Sequence, residues 1–419
     1  MDINKLLSGI HGCKCGREHL CPIDTVDIAD GAIDRLADGC EKYSSILLVS
    51  DKNTYAAAGE RVYSSLIGKI TKNLILGDLG ELIIPNEEKI AEIEDALDNS
   101  IDLIIGVGSG VINDLCKHVS FKNDLPYYII ATAPSMDGYA SVGAALILGG
   151  MKVTLNARPP KAIIAEPSVL ANAPLDMIKA GYGDIVGKFS CLGDWKLSAL
   201  INGEYFCQRV YDLTYEMAEK VKNLAEGVRE RDPLAVASLM EALVTVGIAM
   251  SFVGNSRPAS GSEHHLSHFF EITGILDGKE YFAHGIDVVY SAVATARLRE
   301  KMMNGKPKRR SFDRAAWESD LRRIYSTSSD GIIALQDRLG WYETDDSSVI
   351  YAKWDEICKI MLEMPSSEEF IRMIDAVGLD FSEFEALYGQ EKIADALLYA
   401  KDLKDRYTVL WLNYFYFEV

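Results

Sequence analysis

No run in this 419-residue chain approaches the ~18 uninterrupted apolar residues of a membrane span. The opening Met1-Asp2-Ile3-Asn4-Lys5 lacks the apolar stretch of a secretory leader, so the expectation is a cytoplasmic protein with no membrane span. Positive charge is short as well. Lys and Arg number 43 against 62 Asp and Glu, a formal net charge of -19. Without a basic stripe to displace phosphate counterions, a general nucleic-acid binder is excluded. The one basic cluster, Lys306-Pro307-Lys308-Arg309-Arg310, reads as a solvated loop. Internal repeats and low-complexity tracts are also missing. The eight cysteines are scattered except for Cys13, Cys15 and Cys21, and a chain this long needs no disulfide framework. Reduced thiols are the default.

What is present is ordinary for a globular enzyme: 48% hydrophobic and 25% charged residues, with length for two or three cores. The first 170 residues alternate short apolar runs with helical spacing. Strands are expected at 46–50, 73–76, 103–107 and 127–132, with helices at 55–70 and 87–97. Continuous apolar runs, rather than alternation, point to a parallel sheet covered on both faces. Two apolar runs around Gly149-Gly150 predict a β-hairpin, followed by a strand at 162–165. The segment Glu166-Pro167-Ser168 to Ala173-Pro174 reads as a domain boundary. Beyond it, long helical periodicities run at 214–225, 234–252, 286–303, 314–324, 350–362, 367–376 and 390–403. The fold expected is α/β, with an N-terminal nucleotide-binding domain (1–170), an all-α domain (171–419) and a cleft between them.

Four of the seven histidines fall between 264 and 284. Neutral imidazole is the commonest nitrogen ligand for a catalytic metal. His264 and His268 are four apart, so a helix projects both rings from one face. His284 must return from a separate element. Asp184, in Gly181-Tyr182-Gly183-Asp184-Ile185-Val186-Gly187-Lys188, completes an Asp, His, His set with a coordination position left open, as catalytic metal sites need.

Two further segments stand at predicted strand ends. Gly106-Val107-Gly108-Ser109-Gly110-Val111-Ile112-Asn113-Asp114 joins a strand to a helix, where glycines and the helix N-terminus can cradle an anion. Asn113 replaces the last glycine of the usual dinucleotide fingerprint, and a plain tight turn is the other reading. Thr132-Ala133-Pro134-Ser135-Met136-Asp137-Gly138-Tyr139-Ala140-Ser141 follows the next strand, where ligands of open α/β sheets bind; it equally suits a capping loop. Cys13-Lys14-Cys15-Gly16 with His19 and Cys21 also leaves two readings open, a structural zinc site and a buried N-terminal flap.

The segments 108–114, 132–139, 183–188 and Ser256-Arg257-Pro258-Ala259-Ser260-Gly261-Ser262-Glu263-His264, in this order, carry a resemblance. The chain resembles the sn-glycerol-1-phosphate dehydrogenases, a branch of the superfamily of dehydroquinate synthase, glycerol dehydrogenase and the iron-containing alcohol dehydrogenases. The resemblance implies a Rossmann-like N-terminal domain and a helical metal-binding domain, dehydroquinate synthase-like in architecture. It implies Asp184, His264 and His284 as ligands of one divalent metal, zinc or nickel, with Lys188 where the iron enzymes carry a ligand histidine. His265 would give His-x-x-His spacing with His268, but the family pattern aligns His264 with the metal. Asp137 and His268 are implied to face substrate. Asp51, Gly108, Ser109, Gly110, Val111, Ile112, Thr132, Ala133, Pro134, Ser135 and Ser141 are implied to contact NAD or NADP. Lys188 and Arg257, which flank the ligand segments, are the cations expected at a substrate phosphate. The implied reaction is reduction of dihydroxyacetone phosphate to sn-glycerol 1-phosphate by a cytoplasmic homodimer. A glycerol or other polyol dehydrogenase, and a catalytically silent metal and nucleotide binding module, are the alternatives.

Overall fold

The computed structural model describes residues 3–78, 80, 82–149 and 151–417. Their contacts divide the chain otherwise than at 170/171: one unit holds 1–182 together with 223–256, the other 183–222 with 257–419. The reason lies in the helix Pro233–Val253. It is apolar all round, and 83% of its most hydropathic window is buried. By length and composition alone this helix would cross a membrane; here it is a core element of the first unit. Gly247 on this helix lies so close to the turn at 137–140 that a Cβ would come within 2.7 Å of the Asp137 carbonyl oxygen. Ser251 Oγ donates to the Ala140 carbonyl oxygen at 2.7 Å.

In the first unit the described strands are β1 (Thr25–Ile28), β2 (Ile46–Asp51), β3 (Ile70–Leu76), β4 (Leu103–Gly108), β5 (Tyr127–Ala131), β6 (Gly143–Leu148), β7 (Met151–Asn156) and β8 (Ala162–Ala165). Six form a parallel sheet in the order β1-β8-β5-β4-β2-β3, and β6 pairs antiparallel with β7 as the expected hairpin. Ile46, Leu47, Leu48 and Val49 are fully buried, so both faces of β2 are covered and the run needs no polar alternation. From β2 the chain goes outward to β3, then crosses back to β4 on the other side of β2 and on to β5. That reversal between β2 and β4 is a topological switch point, where open α/β sheets bind ligands.

Two expected elements differ. In place of one helix over 55–70 there is a capped turn at Lys52–Thr54, a π-turn at Tyr55–Gly59 and a helix at Glu60–Ser65. Gly59 permits this, since a Cβ there would meet the Tyr55 ring at 2.6 Å. Strand β3 begins at Ile70 rather than at 73. As an edge strand it alternates exposed and covered residues at its start, so only its inner end reads as a buried run.

The second unit is helical, around fully buried Trp195, Trp317, Trp411 and Tyr290. The helices Leu175–Val186 (from residue 183), Lys188–Asn202, Ser262–Asp277 and His284–Met303 carry the site. The expected C-terminal helices are at Arg314–Tyr325, Trp354–Glu363, Ser367–Ala376 and Phe381–Tyr399. The last turns at Gly389, whose φ of 72° is open to glycine without strain.

Candidate active site

Three separate helices converge in the second unit. Gly278, with φ of 63°, ends the helix Ser262–Asp277, and the loop folds back against Gly274, where a Cβ would strike the Tyr281 ring at 2.8 Å. The chain then starts the helix His284–Met303, which packs along the first. His284 is thereby returned to His264, with ring centroids 5.2 Å apart. The helix bearing Asp184 approaches the same end at backbone contact. A Cβ on Gly183 would lie 2.3 Å from the Gly285 carbonyl oxygen, and one on Gly187 would lie 2.6 Å from a Val288 methyl. One ligand atom each of Asp184, His264 and His284 then falls within 4.8 Å of the others.

The donor set suits a divalent metal that accepts nitrogen and oxygen, such as zinc or nickel, better than the all-oxygen preference of magnesium or calcium. His264 Nδ1 donates to Glu263 Oε1 at 2.6 Å, which leaves its Nε2 lone pair facing Asp184 Oδ1 at 3.5 Å. Glu263, fully buried, also accepts from the Gly261 N–H at 2.9 Å. Such a carboxylate behind a ligand imidazole fixes its tautomer and raises its basicity. Ser267 Oγ stands 3.4 Å from His284 Nδ1. The His268 ring lies 6.3 Å from that of His264 and 5.5 Å from that of His284, outside the converging group. His265 points elsewhere: it is fully buried, and neither ring nitrogen has a hydrogen-bond partner among the described residues. Burial, then the positive charges of Lys404, Arg406 and Arg257, hold its imidazole neutral, well below the ordinary histidine range.

Burial alone would raise the Asp184 carboxyl. Lys188, His264 and His284 override it and hold the group well below the usual carboxylate range. Lys188 Nζ donates to Asp184 Oδ1 at 2.6 Å and to the Ala259 carbonyl oxygen at 3.0 Å, both ends fully buried. Arg257 is 2% exposed, and its Nη2 donates to Glu204 Oε2 at 2.9 Å and to the carbonyl oxygens of Tyr407 and Asp194 at 2.7 and 3.2 Å. Both cations expected at a phosphate are thus committed to internal partners.

Sequence reasoning missed the roles of five residues that build this end. Glu263 was hidden by its position next to His264. Asp194 caps the ligand helix from outside it: its carboxylate accepts from Ser262 N at 2.7 Å and from Val409 N at 2.8 Å. Gly261 makes room for that reach, since a Cβ would be 2.6 Å from Asp194 Oδ2. Lys404 and Arg406 donate to Ser260 Oγ and Ser260 O at 3.3 and 3.0 Å, placing two cations four residues before His264. No local pattern near 404–406 signals this.

In the first unit, the other sequence-named residues gather at the carboxyl ends of β2, β4 and β5. Asp51 closes β2 and caps the next turn, with its Oδ1 accepting from Thr54 N at 2.8 Å. Gly108 closes β4; a Cβ there would strike Ile112 at 2.6 Å, and the helix Gly110–Lys122 begins with no side-chain cap from Ser109. Its first N–H groups are therefore not consumed by a cap, which fits an anion placed beyond Ser109, Val111 and Ile112. Gly110 abuts Met136 of the neighbouring loop, which Thr132 N to the Gly108 carbonyl oxygen (3.1 Å) and Tyr139 Oη to that of Ala133 (2.7 Å) hold in place. Lys117, buried beneath, donates to the carbonyl oxygens of Gly138 and Gly143 at 2.6 and 2.9 Å and to Ser141 Oγ at 3.4 Å. Pro134, Ser135 and Asp137 belong to this same loop of the first unit, whereas His268, Lys188 and Arg257 belong to the second.

Comparison with known proteins agrees with this layout. A profile of the iron-containing alcohol dehydrogenases matches residues 27–174. The chain is 34% identical over 408 residues to a glycerol-1-phosphate dehydrogenase [NAD(P)+] of Halalkalibacterium halodurans, covering 95% of this chain and 94% of the relative. It is 29% identical over 423 residues to the Geobacillus thermodenitrificans protein of that name, covering 99% and 96%. Sulfoacetaldehyde reductase from Bifidobacterium kashiwanohense, solved in complex with NAD+, shares the fold with a TM-score of 0.59 at 15% identity, over 90% of each chain. Length, coverage and identity together place the chain: it belongs to the glycerol-1-phosphate dehydrogenase [NAD(P)+] family.

Proposed function

We propose that this protein catalyses the NAD(P)H-linked reduction of dihydroxyacetone phosphate to sn-glycerol 1-phosphate, and the reverse oxidation. The observation that carries the reading is the convergence of Asp184, His264 and His284 from three helices, in a chain of this family. A divalent metal, zinc or nickel, held by those three residues would supply Lewis-acid polarisation of the ketone, and a nicotinamide would supply the hydride. Glu263 keeps His264 in the ligating tautomer. Asp184, held ionised by Lys188, is a ready anionic donor at neutral pH. His268 delivers or accepts the proton at the substrate oxygen, and Asp137 orients the substrate hydroxyls. Asp51, the 108–112 turn, the 132–135 segment and Ser141 hold the dinucleotide.

Phosphate recognition falls to the positive charge at the start of the ligand helix. Lys404 and Arg406, both half-buried beside Ser260, supply that charge, while Lys188 and Arg257 stay engaged with their internal partners. A homodimer and a cytoplasmic location belong to the same reading, and light scattering on the purified protein checks the first. The deciding experiment follows NADH and NADPH oxidation with dihydroxyacetone phosphate and with dihydroxyacetone, before and after chelation and metal restoration. Chelator-sensitive turnover confined to the phosphorylated ketone is expected. Turnover of free dihydroxyacetone instead points to a polyol dehydrogenase, and metal and cofactor binding without turnover points to a silent binding module.

A further inference from the structure

The loop of residues 10–19 in the first unit holds a second group of metal donors that the dehydrogenase chemistry does not use. Cys13 Sγ, Cys15 Sγ and a ring nitrogen of His19 lie within 4.8 Å of one another. Cys21, which shares the sequence cluster, is not in the group. The loop is braced for its shape. An antiparallel bridge joins Ile10 to His19, with N–H to carbonyl distances of 2.8 and 3.1 Å. Gly16, at φ of 83°, turns the chain after Cys15 and donates to the Cys13 carbonyl oxygen at 3.0 Å. Glu18 clamps the outer side, accepting from Gly12 N at 2.8 Å and pairing with His11 Nδ1 at 2.7 Å.

An independent observation settles which nitrogen of His19 is the donor. The ring is fully buried, and its Nδ1 lies 3.0 Å from the carbonyl oxygen of Phe252. A carbonyl can only accept, so Nδ1 carries the proton and Nε2 carries a lone pair. That Nε2 lies 3.3 Å from Cys15 Sγ. A tetrahedral centre with Zn–S of about 2.3 Å and Zn–N of about 2.0–2.1 Å sets sulfur and nitrogen roughly 3.5 Å apart, close to the observed separation. Metal-ligating imidazoles usually donate their other N–H in this way, to a backbone carbonyl or a carboxylate that fixes the ring.

We propose that Cys13, Cys15 and His19 bind a structural zinc ion, separate from the metal of Asp184, His264 and His284, which ties the N-terminal loop to the end of the core helix Pro233–Val253. Each thiol gives up its proton to solvent as the metal–sulfur bond forms, so no oxidant or reductant is involved. Two thiolates favour zinc over the harder cations. A fourth donor, a further thiol or a water, completes the tetrahedron; a serine scan of Cys21, Cys40, Cys116, Cys191, Cys207 and Cys358 locates it.

The test uses the full-length protein, desalted after loading with zinc. About two equivalents per chain are expected in wild type, about one in Asp184→Ala and about one in the Cys13→Ser/Cys15→Ser double variant. With cobalt in place of zinc, a thiolate-to-metal charge-transfer band should appear in wild type and Asp184→Ala and vanish in the double variant. A single equivalent that survives Asp184→Ala and shows the band keeps this site and removes the other. A single equivalent lost in Asp184→Ala, with no band in wild type, overturns the proposal. Should the double variant not fold, a mercurial titrated into zinc-loaded wild type decides: release of about one equivalent supports the site, and thiols that react without releasing metal overturn it.

Discussion

The two groups proposed to hold metal in this chain are built by opposite means. Cys13, Cys15 and His19 come from one short loop, shaped by a backbone bridge and a glycine turn. Asp184, His264 and His284 come from three helices and meet because Gly183, Gly187 and Gly274 allow backbones and loops to close on one another. The first group depends mostly on local hydrogen bonds, with a long-range bond from His19 Nδ1 to the Phe252 carbonyl oxygen. The second rests on helix packing and on buried charges that must be balanced, Lys188 against Asp184 and Glu263 against His264. A locally built site tolerates damage elsewhere, whereas a tertiary site inherits every fault of its core.

The sharpest way to break the comparison is to remove a donor of the tertiary centre. Asp184→Ala or His264→Ala should lower turnover of dihydroxyacetone phosphate by about 10³-fold or more, since Lewis-acid stabilisation supplies several kcal/mol. Metal analysis of the same samples should show the loss of that ion; full activity without it would falsify the assignment. Next comes Glu263→Gln, which keeps size but weakens the acceptor behind His264. A 10–100-fold loss in metal affinity, read by competition with a chelator, is expected.

Charge burial gives the third prediction. Burial, then Glu263, pushes the Asp194 carboxyl up to about 6 despite the N–H groups of Ser262 and Val409. A carboxyl raised on folding favours the protonated native state, so its contribution is present below its unfolded value near 4 and is lost as pH rises through about 6. Asp194→Asn cannot ionise. The stability advantage of wild type over this variant should therefore shrink by up to about 3 kcal/mol between pH 4 and pH 7, measured by denaturant unfolding. An advantage that grows over this range would show that the charged form is the favoured one.

Gly183→Ala tests the close approach itself. Its Cβ meets the Gly285 carbonyl oxygen at 2.3 Å, and overpacking of this kind costs about 1–3 kcal/mol. Stability and active-site metal affinity should fall together. The smallest effect is expected in the local loop. Gly9, at φ of 81°, lies where a Cβ would be 2.5 Å from the His19 carbonyl oxygen. Gly9→Ala should open the loop, speeding its amide exchange about tenfold for a cost of about 1–2 kcal/mol. The global unfolding midpoint should stay in place; a large drop would show that the loop is part of the main cooperative unit.

Much of the first unit was legible because its signals are local. Apolar runs announced β2, β4, β5 and β8, and glycine-rich turns at strand ends marked the loops now found beside the switch point. Strand β3 and the 52–65 region were less legible, since an edge strand and a π-turn lack a clean period. The histidine spacing, with the motif order of the family, singled out Asp184, His264 and His284. The spacing of four allows the Lys188–Asp184 pair, but it could not show that both side chains are fully buried, or that Arg257 is engaged by Glu204, 53 residues away in sequence.

The sequence by itself determined the element types, the glycine turns and the ligand candidates, since each follows from side-chain chemistry within a few residues. Only the tertiary structure decided that the helix Pro233–Val253 belongs with the first unit, that Asp194 caps a helix 68 residues away, and that Lys404 and Arg406 stand beside Ser260. Those outcomes depend on which faces pack and which charges are shielded from water, and such energies come from groups brought together across long stretches of chain.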